Sequence, residues 1–64
     1  MSARDVLFEF RRIGNYVKVS ALDAETGVEV SIVGDAAAGE MRLKQTAQKK
    51  LEYVMAKHRR NLDQ

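Results

Sequence analysis

Two short loops constrain this chain more than any other feature, because together they fix the register of three runs of alternating side chains. The first loop is the Gly-Asn pair at residues 14–15, and both residue types tolerate the positive φ of a primed hairpin turn. This two-residue loop pairs Ile13 with Tyr16. Counting outward then puts Phe10 opposite Val19 on one side of the ribbon. The first two runs are therefore expected to form a hairpin.

The second loop, Ala-Glu-Thr-Gly at residues 24–27, gives the same answer about which side chains share a side. Asp23 is placed to bond the turn backbone, and the closing glycine suits a left-handed conformation. A four-residue loop here pairs Asp23 with Val28 and Ala21 with Val30. The shared side is apolar and carries no charge at its centre. Its members are Val6, Phe8, Phe10, Val17, Val19, Ala21, Val28, Val30 and Ile32.

The opposite side of the ribbon has a polar centre and apolar ends. Leu7 and Leu22 form one apolar cluster, and Ile13, Tyr16 and Val33 form another at the far end. Single apolar side chains are ordinary on protein surfaces, whereas apolar patches also occur in subunit contacts. Both interpretations of the two clusters stay open on sequence grounds.

A fold class follows from these runs and from the lysine-rich segment in the second half of the chain. Spacings of three and four residues, typical of an amphipathic helix, separate Leu43, Ala47, Leu51, Val54 and His58. We predict a single α+β domain over residues 1–64, a three-stranded antiparallel meander followed by one amphipathic C-terminal helix (β-β-β-α). The predicted strands cover about residues 5–13, 16–22 and 28–33, and the predicted helix covers about residues 40–60 and lies on the apolar face.

The connection at residues 34–39 allows two starting points for the helix. Asp35 is a candidate N-cap for the three alanines that follow it. Gly39 argues against a helix that runs through it, because a glycine inside a helix costs about 1 kcal/mol relative to alanine. The helix is therefore expected to begin either near Ala36 or only after Gly39.

Composition excludes several functional classes. The 64 residues include no cysteine, so a disulfide framework and a thiolate zinc site are excluded. The lone histidine, His58, has no nucleophile or acid at a local spacing that forms a catalytic pair, and is expected to be partly buried near the helix end. No apolar run approaches the length of a membrane span, and residues 1–5 lack a hydrophobic secretory segment. We expect a non-enzymatic cytoplasmic protein without a cofactor or a metal.

A thin core and open sheet edges favour self-association. Chains this short bury a small fraction of their surface and often recruit a partner chain. A three-stranded sheet leaves its first and third strands as unpaired edges. We therefore predict a homodimer, and the connection at residues 34–39 also permits two copies to exchange the helix or a strand.

The charges are unevenly distributed along the chain. Residues 1–35 hold four Lys/Arg against six acids, a net −2, and residues 36–64 hold seven against three, a net +4. A three-stranded sheet followed by a lysine-rich helix loosely resembles the second half of double-stranded RNA-binding domains, although their preceding helix and Lys-Lys-x-Ala-Lys cluster are not in place. We expect the homodimer to be a small interaction module that acts through contacts with itself or another protein, and the alternative function is nucleic-acid binding by the basic face of the helix. Its candidate residues are Arg42, Lys49, Lys50, Lys57, Arg59 and Arg60.

A closer resemblance covers nearly the whole chain. Its residues are 6–21 (VLFEFRRIGNYVKVSA), 23–27 (DAETG), 33–35 (VGD) and 50–54 (KLEYV). These runs resemble a family of short proteins of unknown function associated with alphaproteobacteria. Its members sometimes carry a serine hydroxymethyltransferase label, yet a pyridoxal-binding domain does not fit in 64 residues. The resemblance implies a stand-alone cytoplasmic protein and carries over no catalytic residues.

Overall fold

The computed structural model describes the backbone of residues 5–62 and the side chains of residues 5–58. It confirms the predicted α+β architecture, in which an antiparallel sheet of order β1-β2-β3 carries one helix on one face. The elements are β1 (Val6–Ile13), β2 (Tyr16–Asp23), β3 (Glu29–Asp35), a 3₁₀ turn (Ala36–Ala38) and α1 (Glu40–Leu62).

The first hairpin has the predicted register. Ile13 lies opposite Tyr16, and Phe10 lies opposite Val19. Gly14 has a φ of 60°, and Asn15 keeps a negative φ. A positive φ at the first loop position alone is the pattern of a type II′ turn, whose twist matches that of the flanking strands.

The second turn also pairs the strands as predicted, with Ala21 opposite Val30. The Asp23 amide donates to the Val28 carbonyl at 2.9 Å, and the Gly27 amide donates to the Asp23 carbonyl at 2.8 Å. Gly27 has a φ of 80°, which a side chain at that position would disfavour. The two turns therefore set a single register across the sheet, and one face of it is apolar.

Asp23 belongs to that inner face and is fully buried, which the sequence analysis missed. Its side chain takes part in the turn as well as its backbone. The Thr26 hydroxyl donates to Oδ2 of Asp23 at 2.8 Å and lies 3.6 Å from the sulfur of Met55. The same hydroxyl oxygen accepts from the Val28 amide at 3.2 Å. The β2–β3 turn is thereby tied to the carboxyl half of α1.

The third strand is longer than predicted at its carboxyl end. It runs through Gly34, which pairs with Val17, and ends at Asp35. The predicted end at about residue 33 is therefore wrong, because Gly34 and Asp35 continue the ladder. A Cβ added at Gly34 would overlap Cδ2 of Leu43, so the glycine provides room for the helix rather than freedom for a loop.

The structure resolves the two possible helix starts in favour of the later one. Asp35 caps the separate 3₁₀ turn, because its Oδ1 accepts from the Ala37 amide at 2.9 Å. Gly39 follows with a φ of 89°, a conformation that ends the turn. The continuous helix then begins at Glu40.

The core lies between α1 and the inner face of the sheet. Two predicted helix positions require correction: Val54 is only partly buried beside the buried Met55, and His58 is exposed. Met55, which contacts Thr26 of the β2–β3 turn, is the last buried residue of α1 among the side chains that the structure describes. The buried apolar residues are Val19, Ala21, Val30, Leu43, Ala47, Leu51 and Met55.

Candidate interaction surfaces

The helix covers the sheet unevenly. It packs on β2 and β3 much more than on β1. The inner side chains of β1, namely Val6, Phe8 and Phe10, are consequently only partly buried. The Lys44 ammonium lies 4.9 Å from the centre of the Phe8 ring, a cation–π contact that adds some cover. The apolar side of β1 is therefore the least protected part of the core.

The two edges of the sheet also differ. The Val28 carbonyl faces β2, so alternation along the strand points the Ser31 carbonyl away from the sheet at the β3 edge. The Lys50 ammonium donates to that carbonyl at 3.0 Å. A lysine over an edge strand is a recognised barrier to pairing with another chain. The β3 edge is thus partly blocked by the protein's own helix.

The β1 edge carries no such block among residues 5–62, where β2 is its single neighbouring strand. The Ala24 amide donates to the Asp5 carbonyl at 3.0 Å, which places the odd-numbered backbone groups of this strand toward β2. By alternation, the even-numbered groups point outward. They belong to Val6, Phe8 and Phe10, which also form the partly buried apolar side of β1, and to the exposed Arg12.

The open face of the sheet, opposite α1, displays both apolar clusters identified from the sequence. Leu7, Ile13, Tyr16 and Val33 are between 54% and 64% exposed. The register places Leu7 directly opposite Leu22, and Ile13 directly opposite Tyr16. At the centre of this face two like charges, Arg11 and Lys18, also lie directly opposite one another. Such a pair destabilises a sheet unless an acid lies close by.

The predicted nucleic-acid residues do not form one uniform basic face. Arg42, Lys49 and Lys57 are exposed, and Lys57 packs over the Tyr53 ring at 5.5 Å. Lys50 is instead directed to the β3 edge. The side chains of the remaining two candidates, Arg59 and Arg60, lie outside the described residues. Nucleic-acid binding stays a prediction that none of these contacts tests.

Side chains that could hold a metal ion do not cluster in the described part of the chain. Residues 5–58 contain no cluster of three or more His, Asp or Glu side chains with metal-ligand geometry. An open depression of about 430 Å³ lies beside the first hairpin, where the Arg12 guanidinium donates to the Gly14 carbonyl and Asp35 caps the 3₁₀ turn. Both charged side chains that line it are thus engaged in holding local structure.

A comparison with known families places the chain. A family model described as a domain of unknown function, DUF6898, matches residues 3–58. The chain belongs to the DUF6898 family. This membership confirms the resemblance to an uncharacterised family that residues 6–54 indicate. No curated protein matches the DUF6898 chain significantly, and no solved structure does either.

Three contacts of this DUF6898 domain were missed by the sequence analysis. The parity of β2 already puts Asp23 on the inner face with Val19 and Ala21, so its burial was available from the register. Lys44 and Lys50 flank the helical stripe, where long side chains commonly lay their stems along the sheet.

None of the helices in residues 5–62 combines the length and apolar character that a membrane span requires.

Proposed function

We propose that this DUF6898 protein is a non-enzymatic interaction module of the bacterial cytoplasm that acts as a homodimer. The observation that carries this proposal is the contrast between the two sheet edges. Lys50 lies over the β3 edge, whereas the β1 edge has β2 as its single neighbouring strand among residues 5–62 and carries partly buried phenylalanines. An edge strand of this kind is a template for pairing with another chain.

The size of the core supports the same proposal. Seven apolar residues of the described part of the chain are buried, each at most 8% exposed, and the partly buried side chains packed against them include both phenylalanines of the chain. A domain of 64 residues buries a smaller fraction of its surface than a larger domain does and is correspondingly marginal. A second copy that covers Phe8 and Phe10 would bury more apolar surface, and each Å² buried contributes about 25 cal/mol of stabilisation.

Exchange of α1 or of a strand between two copies is a second form of this dimer. The helix folds back on its own sheet through the 3₁₀ turn and Gly39. The same helix–sheet contacts form when the connection opens and the helix packs on the other copy. An exchanged dimer separates only by unfolding, so the rate of subunit exchange distinguishes the two forms.

Light scattering coupled to size-exclusion chromatography tests the proposal. At high micromolar concentration we expect twice the monomer mass of 7.2 kDa. Mixing unlabelled and isotope-labelled protein, followed by native mass spectrometry, then separates surface pairing (mixed dimers in minutes) from exchange of an element (mixed dimers only after partial unfolding). A mass of one chain at every concentration would refute the homodimer.

The interaction role has its own test. Tagged protein added to the native cytosol should retain a specific protein, and it should do so in proportion to its dimer fraction across a dilution series. Recovery of the same protein by a monomeric variant would show that the dimer is not the acting form.

A further inference from the structure

We infer that two copies pair through β1, antiparallel about a two-fold axis at Phe10, to form one continuous six-stranded sheet. This inference rests on the proposed homodimer and names its interface. The occupant of the β1 edge is a second copy of the same strand, so the edge of each copy satisfies the edge of the other.

Symmetry limits how two copies of this strand can pair. The inner faces stay on one side of the joined sheet only if even-numbered residues pair with even-numbered ones. The two-fold axis therefore lies between one residue and the same residue of the other copy, and a strand of eight residues offers few central residues for it. An axis at Glu9 would place two glutamates opposite each other, and an axis at Arg11 would place two arginines opposite each other. Both arrangements put like charges in direct cross-strand contact, which is destabilising.

The axis at Phe10 instead makes the open face complementary to itself. Glu9 lies opposite the partner's Arg11, and symmetry repeats the pair. These residues are odd-numbered, so they occupy the non-hydrogen-bonded positions of the new ladder, where side chains approach most closely. Each partner's Glu9 also extends the row of Arg11 and Lys18, the like-charged pair within one copy. The dimer thus places an acid directly opposite Arg11, in addition to the Glu9 that lies two residues away along the same strand.

The same axis joins the two apolar clusters of the open face. Leu7 lies opposite the partner's Ile13, so a row of Leu22, Leu7 and the partner's Ile13 and Tyr16 crosses the interface. The two clusters lie at opposite ends of one copy, and the antiparallel arrangement brings the opposite ends of two copies together. An axis at Phe8 lacks this match, because it places Leu7 opposite the partner's Glu9 and overlaps the strands over a shorter length.

The inner face gains cover in this arrangement. The even-numbered backbone groups that point outward form the new hydrogen bonds, and Phe10 lies opposite the partner's Phe10. Phe8, whose ring is contacted by Lys44, lies opposite the partner's Arg12. The space beside β1 that α1 leaves open is thereby filled by the side chains of the other copy.

Charge reversal tests the register. By sedimentation velocity over a dilution series, we expect Glu9→Arg and Arg11→Glu each to raise the dimer dissociation constant about tenfold or more, because each change creates two like-charge contacts. The double variant E9R/R11E restores opposite charges and should return to within about threefold of the parent. Glu29→Arg, a matched reversal on the same face at β3, should have no effect.

The outcomes separate the two proposals. A dimer that both single reversals leave intact, or that Glu29→Arg weakens as much as Glu9→Arg does, would overturn the β1 interface and keep the homodimer. A protein that is monomeric before any substitution would overturn both. Melting curves of each variant confirm that the comparison is made between folded proteins.

Cross-linking provides an independent measurement, because the chain has no cysteine of its own. The exposed pair E9C/R11C should form covalent dimers under mild oxidation, since the cysteine at position 9 of one copy lies opposite the cysteine at position 11 of the other. Either cysteine alone should not do so efficiently. Efficient cross-linking by L7C/E9C in place of E9C/R11C would establish the axis at Phe8 and overturn the register.

Discussion

Substituting Gly34 by alanine tests how the helix is seated on the sheet. Gly34 lies within β3 and does not have a positive φ, so its backbone conformation is open to alanine. The added Cβ, however, would overlap Cδ2 of Leu43. Leu43 is 6% exposed and sits in the first turns of α1, where it has little room to move. The substitution therefore acts through packing and not through the backbone.

The magnitude follows from two opposing terms. Overpacking a well-filled core costs about 1–3 kcal/mol, and replacing glycine by alanine at a permitted conformation gains about 0.4–1 kcal/mol through the unfolded chain. We expect Gly34→Ala to lower the free energy of unfolding by about 1–2 kcal/mol. Leu43→Ala alone should cost about 2–5 kcal/mol, the range for a buried leucine. In the double variant the new methyl enters the space that Leu43 vacates, so the combined loss should fall short of the sum by about 1–2 kcal/mol.

Urea unfolding followed by circular dichroism measures these differences, at one protein concentration because dimerisation adds stability by mass action. Gly27→Ala is the matched control. Gly27 has a φ of 80° and open space around its Cα, so its cost of about 1–2 kcal/mol comes from the backbone. It should add to Leu43→Ala within about 0.5 kcal/mol. A double variant with simply additive losses would refute the close seating of Leu43, and so would a Gly34→Ala variant that is more stable than the parent.

Three further outcomes are expected. Thr26→Val removes the 2.8 Å hydrogen bond to the buried Asp23 and should cost about 1–3 kcal/mol in thermal or urea unfolding, whereas Thr26→Ser should keep most of the stability. Leu51→Ala should cost about 2–5 kcal/mol, whereas Tyr53→Ala, at a position 65% exposed on the same helix, should stay within about 0.5 kcal/mol of the parent. Generic RNA should show no mobility shift at low salt, and a shift abolished by Lys49→Glu would instead support the nucleic-acid alternative.

The register of the sheet was predictable because two loops of definite length fix which side chains share a face. The ladder therefore agrees with the prediction at Ile13 and Tyr16 and again at Ala21 and Val30. The end of β3 was not predictable by the same rule. In the sequence, the glycine at position 34 indicates the end of a strand. Only the position of Leu43 across the core shows why this strand residue has no side chain.

The surfaces were harder to predict than the fold, because they depend on where long side chains come to rest. The basic character of the helix is evident from composition, yet Lys44 lies on Phe8 and Lys50 caps the β3 edge. Helix periodicity likewise predicted that His58 faces the sheet, yet its side chain is exposed. Periodicity does not show how far along the helix the sheet extends. Sequence periodicity gives the direction of a side chain but not whether another element lies in that direction.

Amide hydrogen exchange along β1 tests the central claim most directly. The amides of Glu9 and Arg11 bond to β2 in one copy and serve as an internal reference, whereas those of Phe8 and Phe10 point to the open edge. In isotope-labelled protein, exchange at Phe8 and Phe10 should slow as concentration rises through the dimer transition, and exchange at Glu9 and Arg11 should change little. Fast exchange at Phe8 and Phe10 in a solution that contains only dimer would contradict the claim that β1 is where two copies meet.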